Sequence, residues 1–415
     1  MPETKESDSA RVSEPDHGTV GSYDPTAAIA SIAKKERLAQ ATLDRLRHLS
    51  FDPANQKLFN RTWTISQLQS MVGRAPQTIR DAENEGRLPA PEKDASNRRR
   101  GYTLPELNHM RDIFGTRPHR AEGEDTPVIA FSNFKGGAGK STLAVHFAQY
   151  MALKGYRMLL VDSDPQASAT TMFGINSDLE ADQERALENY LFEDFDDFRR
   201  CIRTSYFPGV DIVPANLRLF NAEYALAAHT REDPLILNRL KTGIGSVKSD
   251  YDVIVIDPPP ALGMLSLSVI NAATALIIPM RPSTVDFAST AAFLSMLKSN
   301  LTSMIGAGFQ IQYYFESLLI NNMDDNKSAH KEISETLHGL FPAPDIFTAT
   351  MKDSAEIDNA ARDMKTVYDL SRPLTSKATH QRCLDYLNAV NLEIETRVRK
   401  IWPSHREALR KQAII

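Results

Sequence analysis

Five short, unbroken apolar runs dominate the chain: Val128–Phe131, Met158–Val161, YDVIVIDPPPALG at 251–263, ALIIPMRPSTVDFAST at 275–290 and FESLLINNMD at 315–324. Short runs without polar alternation describe strands covered on both faces. Helical stretches separate them, so the expected fold class is α/β, a doubly wound, mostly parallel sheet with its ligand at the carboxyl ends of the strands. Upstream the pattern changes. Between Pro25 and Leu49, Ile29, Ile32, Ala39, Leu43 and Leu46 recur at three- and four-residue steps, with Lys34, Lys35, Arg37 and Arg45 between them. That spacing predicts one amphipathic helix, whose stripe fits a partner subunit as well as the body of the protein. Next, Thr64 can cap a short helix ending near Met71, Gly73 supplies a turn, Pro76–Glu85 reads as a second helix with Ile79 inward, and a third begins near Pro105. This is helix-turn-helix spacing. A polar stretch, GTRPHRAEGEDTP, precedes the first strand. The expected organisation is a disordered tail at 1–22, the amphipathic and possible dimerisation helix at 23–60, the helix-turn-helix unit at 61–121 and the sheet domain at 122–415.

Composition changes this picture little. With 415 residues, 42% of them hydrophobic, the chain can bury one large core and a second small domain. A net charge of -5 and a pI near 6.1 do not advertise a nucleic-acid binder, so any DNA contact has to come from local patches such as Arg98, Arg99 and Arg100. Cys201 and Cys383 stand far apart, which excludes a disulfide framework or a cysteine-held zinc site and fits a reducing, cytoplasmic compartment. The polar first residues lack the apolar core of a secretory signal, and no stretch approaches the roughly 20 apolar residues of a membrane span.

The sharpest chemical signal follows the first strand, where SNFKGGAGKSTLAVHFAQY joins a strand to a helix through a glycine-rich loop ending in Lys-Ser. Such a loop turns backbone N–H groups and a helix N-terminus toward a phosphate chain. Gly136, Gly137, Ala138 and Gly139 would wrap the phosphates, Lys140 would neutralise the β and γ oxygens, Ser141 would ligate Mg²⁺ and Thr142 would meet the α-phosphate. Asp257 ends a run of the kind a Mg²⁺-holding strand requires. Asp162, at the end of the second strand, reads as a support for Mg²⁺ or for its loop, or as a helix cap. Asn322 stands where a guanine-specific Asn-Lys-x-Asp string would carry lysine, which removes support for GTP.

The second lysine, Lys135, makes KGGAGKST resemble the deviant Walker A motif of the ParA, MinD and nitrogenase iron-protein family. The resemblance implies ATP, an ATP-sandwich homodimer in which Lys135 reaches the partner's nucleotide, Asp164 of DSDPQ as the residue that orients the attacking water, a switch loop at Pro258–Gly263, and Asn321 near the adenine. It runs from about residue 126 to the 390s. The segment from Thr64 to Leu107 resembles the winged helix-turn-helix of MerR-type regulators, which would put Gln77, Thr78 and Arg80 on a recognition helix and Arg98, Arg99 and Arg100 on a wing. The combination is similar to the N-terminally extended ParA proteins, the RepA partition type of repABC replicons above all. That group implies nonspecific and operator DNA binding, autorepression, a ParB-type partner that stimulates slow hydrolysis, and a nucleoid-associated, cytoplasmic protein. Nonspecific DNA contacts would fall on Arg281 and Lys352, extended by Lys377, Arg382, Arg397, Arg399 and Lys400. Two other readings share these motifs: a MinD-like membrane-positioning ATPase, and a transcription factor whose nucleotide domain only senses.

Overall fold

The computed structural model describes residues 25–51, 57–175, 186–192 and 195–413, so the expected tail at 1–22 lies outside them. Helix α1 (Pro25–Phe51) belongs to one compact unit and residues from Lys57 onward to another. Ile29, Ile32 and Leu38 stand exposed on α1.

In the second unit, α2 (Ile65–Leu68) starts from a capping box in which Thr64 and Gln67 satisfy each other's backbone N–H. It runs into a five-residue π turn, Gln69–Gly73, and the chain then enters α3 (Pro76–Asn84) and α4 (Leu104–Ile113), the latter capped by Thr103 and Glu106. Between α3 and α4, Glu92–Arg100 folds back as a small hairpin closed by Asp94 N→Arg98 O at 2.8 Å and Arg100 N→Glu92 O at 2.8 Å. Trp63 and Tyr102 exchange backbone hydrogen bonds across the base of the unit.

The sheet domain follows in the order β1 (Val128–Phe131), α5 (Lys140–Lys154), β2 (Met158–Asp162), α6 (Ser168–Met172), α7 (Leu187–Leu191), β3 (Arg203–Thr204), β4 (Val210–Val213), α8 (Leu219–His229), α9 (Arg239–Val247), β5 (Val253–Asp257), α10 (Met264–Ala272), β6 (Ala275–Met280), α11 (Thr284–Gly306), β7 (Phe315–Ile320), α12 (Ser328–Leu340), α13 (Ala355–Arg362), α14 (Lys377–Ile401) and α15 (Arg406–Lys411). The sheet has seven strands in the order β3-β4-β2-β5-β1-β6-β7, parallel except for β3 at one edge. Strands β3 and β4 were not singled out as apolar runs, because β3 is two residues long and β4 carries Asp211 in its middle. The chain leaves β1 toward β2 on one side and later returns to fill β6 on the other, so the loop after β1 sits at the point where strand order reverses.

Alternation along the buried strands divides the interior into two layers. Ile129, Phe131, Met158, Leu160, Val253 and Val255 face α5 and α14, while Val128, Ala130, Leu159, Val161, Ile254 and Ile256 face α8, α9 and α10. The first layer is continuous with the core of the helical unit, through Trp63, Leu68, Ile79 and Leu107. The polar stretch ahead of β1 is also fastened down. Arg117 Nε donates to Gly155 O at 2.7 Å, and Arg111 Nη2, from the last turn of α4, donates to Leu153 O at 3.0 Å, so two guanidinium groups close the carboxyl end of α5. Arg120 reaches the carbonyls of Tyr251 and Ser249, and Trp402 Nε1 donates to Asp125 O at 2.9 Å. A polar stretch becomes a strap because its arginines, Arg117 and Arg120, find carbonyls that helix and loop ends leave unpaired.

Candidate nucleotide site

The loop between β1 and α5 is shaped by its glycines and closed by a side chain just past the end of β7. Gly139, at φ +83°, begins α5, and a Cβ there would lie within 2.2 Å of Asn321 Nδ2. Only glycine fits both the left-handed backbone and that approach. The Asn321 amide donates to Ala138 O at 2.7 Å and is almost wholly buried, so it holds the loop from behind. Of the residues anticipated at this loop, Gly136 and Gly137 are exposed, Ser141 and Thr142 half-buried, and Ala138 and Lys140 buried.

Behind the loop lies a carboxylate cluster set by strand register. Asp162 and Asp257 are paired neighbours at the ends of β2 and β5, and both are fully buried. Asp162 spends its oxygens on its own loop, accepting from Asp164 N at 3.1 Å and from Thr170 N and Oγ1 at 2.8 and 2.7 Å. Burial pushes its carboxyl up to about 7 against those hydrogen bonds. Asp257 differs, because neither of its oxygens has a hydrogen-bond partner. Burial, and then the neighbouring Asp162, raise its pKa well above the ordinary range, with Ser141 and Lys140 opposing. A fully buried, unpartnered carboxylate calls for a positive ligand. Ser141 and Asp257 fit a Mg²⁺ ion with oxygen ligands, whereas Asp162 is committed to its loop.

Lys140 is buried, and burial lowers its pKa while Asp257 and Asp164 raise it. Asp164 accepts from Gln166 N at 2.9 Å, and burial raises its carboxyl too, opposed by that bond and by Lys140. Lys135 is turned to the other side, where its Nζ lies 2.7 Å from Asp286 Oδ1 on α11.

Sequence reasoning missed two side chains here. One is Asp286. The other is Glu223 on α8, whose carboxylate accepts from Met264 N at 2.5 Å and Leu265 N at 3.0 Å and so caps α10 directly after the Pro258–Gly263 loop. A Cβ on Gly263 would meet that carboxylate, so a larger residue there would have to displace the Glu223 side chain. No motif marks either residue, because each acts across the fold on a backbone or side chain distant in sequence.

The anticipated DNA contacts are dispersed. Gln77 and Arg80 are exposed on α3, with Gln77 donating to Asp81 at 2.7 Å and Thr78 half-buried beside them. On the hairpin, Arg98 is exposed, Arg100 lies 3.6 Å from Glu92, and Arg99 bonds Glu83 and Tyr102 at 2.8 Å each. Arg281 is exposed beside Asn322. Lys352 pairs with Asp325 at 2.5 Å and lies over the Tyr386 ring. Arg397 is held by Ser317, Pro344 O and Glu393 and stacks on Phe347 at 3.8 Å, a packing position. Arg399 reaches His405 and Gln412, Arg382 reaches Thr379, and Lys377 begins α14.

Residues 126–310 match the family model described as an AAA domain. A Rhizobium rhizogenes protein provisionally named replication protein A is 31% identical over 389 residues, covering 89% of this chain and 95% of its own. Protein SopA of Escherichia coli K12 is 35% identical over 327 residues, covering 77% and 83%. A solved structure named Partition Protein superposes with a TM-score of 0.61 at 21% identity, over 90% of this chain and 99% of its own, which shows the shared fold.

Proposed function

The chain belongs to the ParA family of P-loop partition ATPases, and from that premise we propose that it is a DNA-partition switch: it closes into an ATP-sandwich dimer, grips DNA in that state and lets go on hydrolysis. The observation that carries this reading is the pair of lysines on one loop, Lys140 buried and near the unpartnered Asp257, Lys135 turned away onto Asp286. Lys140 and the loop amides bind the triphosphate. Bound Mg²⁺, held by Ser141 and Asp257, would screen the phosphate charge. Asp164 orients the attacking water, and Lys135 adds its charge to the partner's phosphates. Glu223 keeps the switch loop anchored at its far end, so rearrangement at Pro258–Gly263 is passed to α8. The helices and hairpin at 61–121 act as a winged helix-turn-helix on operator DNA, repressing the protein's own operon. A ParB-type partner accelerates hydrolysis and releases the dimer from nonspecific DNA across the nucleoid. No described helix is long and apolar enough to cross a membrane.

The test is binding to random-sequence duplex DNA. With a non-hydrolysable ATP analogue and Mg²⁺, affinity is expected to rise at least about tenfold over the nucleotide-free protein and to fall steeply with salt. Equal affinity with and without nucleotide would sink the switch.

The hairpin arginines separate by geometry. Arg98 is exposed, so Arg98→Ala is expected to weaken operator binding about five- to tenfold and to shallow the salt slope by about one unit, with thermal stability unchanged. Arg99→Ala instead leaves the buried Glu83 without its cation, and is expected to lower the melting temperature. Parallel melting and fluorescence-anisotropy curves would reveal a reversal of the two.

A further inference from the structure

Lys57 opens the second unit with its ammonium group mostly buried. Its Nζ donates to Met172 O at 2.6 Å and Met364 O at 3.0 Å, lies 3.0 Å from Asp369 Oδ2 and sits 4.2 Å from the centre of the Tyr206 ring. Burial lowers its pKa, and Asp369 opposes that. Two residues on, Phe59 packs against Phe207 at 4.3 Å and Trp63 at 6.2 Å, so this short segment joins the base of the helical unit to the sheet domain. No motif announces Lys57, because every group it touches is distant in sequence.

Those groups lead to the nucleotide site by separate routes. Met172 ends α6, the five-residue helix that directly follows the loop carrying Asp164. That loop turns through Ala167, a non-glycine residue at φ +53°, and left-handed backbone of this kind persists only where its surroundings hold it. Thr170 holds it on one side, through its bonds to Asp162. Lys57 holds it on the other, with its charge at the carboxyl end of α6 and its stem against Gly174, where a Cβ would meet it at 3.0 Å. The second route runs through Asp369, which also accepts from Thr366 N at 2.9 Å and from the Tyr206 hydroxyl at 2.6 Å. Beside it Val367 N donates to His146 Nε2 at 3.2 Å, and the opposite ring nitrogen faces Thr142 O, in the phosphate loop, at 2.7 Å. Complete burial drives the His146 ring down to about 4, so it stays neutral, donating from Nδ1 and accepting at Nε2.

We propose that Lys57 is a positioning residue for ATP hydrolysis: by pinning α6 to the turn at 364–369 it fixes the loop that presents Asp164, which makes the lead-in to the helical unit part of the ATPase machinery. The proposal rests on the water-orienting role of Asp164 given above. It separates turnover from binding. The phosphate loop keeps its own bond to Asn321 without Lys57, whereas α6 loses the group that closes its end.

Lys57→Met keeps the stem and removes the ammonium. In the full-length protein, well below its melting temperature, turnover of ATP with Mg²⁺ is expected to fall about tenfold while nucleotide affinity stays within about twofold of native. Hydrogen exchange without nucleotide is expected to quicken about tenfold at the amides of 170–175, while α4 in the helical unit keeps its protection. In an Asp164→Ala background, Lys57→Met should slow turnover no further, because the group it positions is already gone. Native exchange at α6 overturns the clamp, and so does faster exchange with undiminished turnover. Affinity lost in step with turnover, or a further loss on top of Asp164→Ala, assigns Lys57 to general stability and overturns the positioning role. Full activity of Asp164→Ala alone overturns the water-orienting reading and this proposal with it, and a surviving exchange difference then places the fault in the role given to the carboxylate rather than in the clamp.

Discussion

Asp164→Ala is expected to lower ATP turnover at least about a hundredfold while nucleotide affinity stays within a few-fold of native. The two effects separate because Asp164 sits beyond the phosphate cradle. It lies two residues past β2, bonded to Gln166 N, while the loop from Gly136 to Thr142 and the buried Lys140 remain intact without it. On the proposed role, losing the carboxylate removes the group that orients water and nothing that binds phosphate. The variant should therefore accumulate in the ATP-bound state and stay on nonspecific DNA in ATP as the native protein does with a non-hydrolysable analogue. Phosphate release and fluorescent-nucleotide binding, measured side by side, decide the matter. An unchanged hydrolysis rate would remove Asp164 from the chemistry, and a parallel collapse of affinity would make it part of the cradle.

Asp257→Asn is expected to abolish Mg²⁺-dependent hydrolysis and yet make the nucleotide-free protein more stable. Both oxygens of the native carboxylate are buried without partners beside Asp162, and a neutral amide of the same shape relieves that strain by roughly 1–3 kcal/mol. The melting temperature should rise by roughly 2–5 °C. The gain also depends on pH in a defined direction. An acid whose pKa is raised by folding holds its proton more tightly folded than unfolded, so its drag on stability is absent below the ordinary carboxylate range, grows as the pH climbs from that range toward the raised value, and levels off above it. With Asp162 raised to about 7 and Asp257 well above its usual range, the advantage of the variant should be small near pH 5 and increase through pH 7. Melting curves at several pH values without nucleotide check this. A variant less stable than native at every pH would mean that Asp257 has a protein partner in solution.

Much of the architecture was legible because parallel strands buried on both faces leave unbroken apolar runs. β1, β2, β5, β6 and β7 were visible this way, and the loop at 135–142 was visible because phosphate binding demands glycines and a lysine at fixed spacing. The elements that escaped notice have little local signature. β3 is too short for a pattern, and β4 is a four-residue strand with a charge inside it.

The sequence by itself determined the local chemistry: which residues can cradle phosphate, where helices begin near Thr64 and Pro105, and which strands must be covered. Only the tertiary structure decided how those parts are spent. It placed Asp162 against Thr170 and left Asp257 bare, set Asn321 behind Gly139, turned Lys135 onto Asp286, fastened Arg111 and Arg117 to the end of α5 and committed Arg397 to Phe347. The physical reason is that residue type and spacing define what a side chain can do over a few bonds. Whether its charge is paired, buried or free depends on groups that strand order and helix packing bring together from far along the chain.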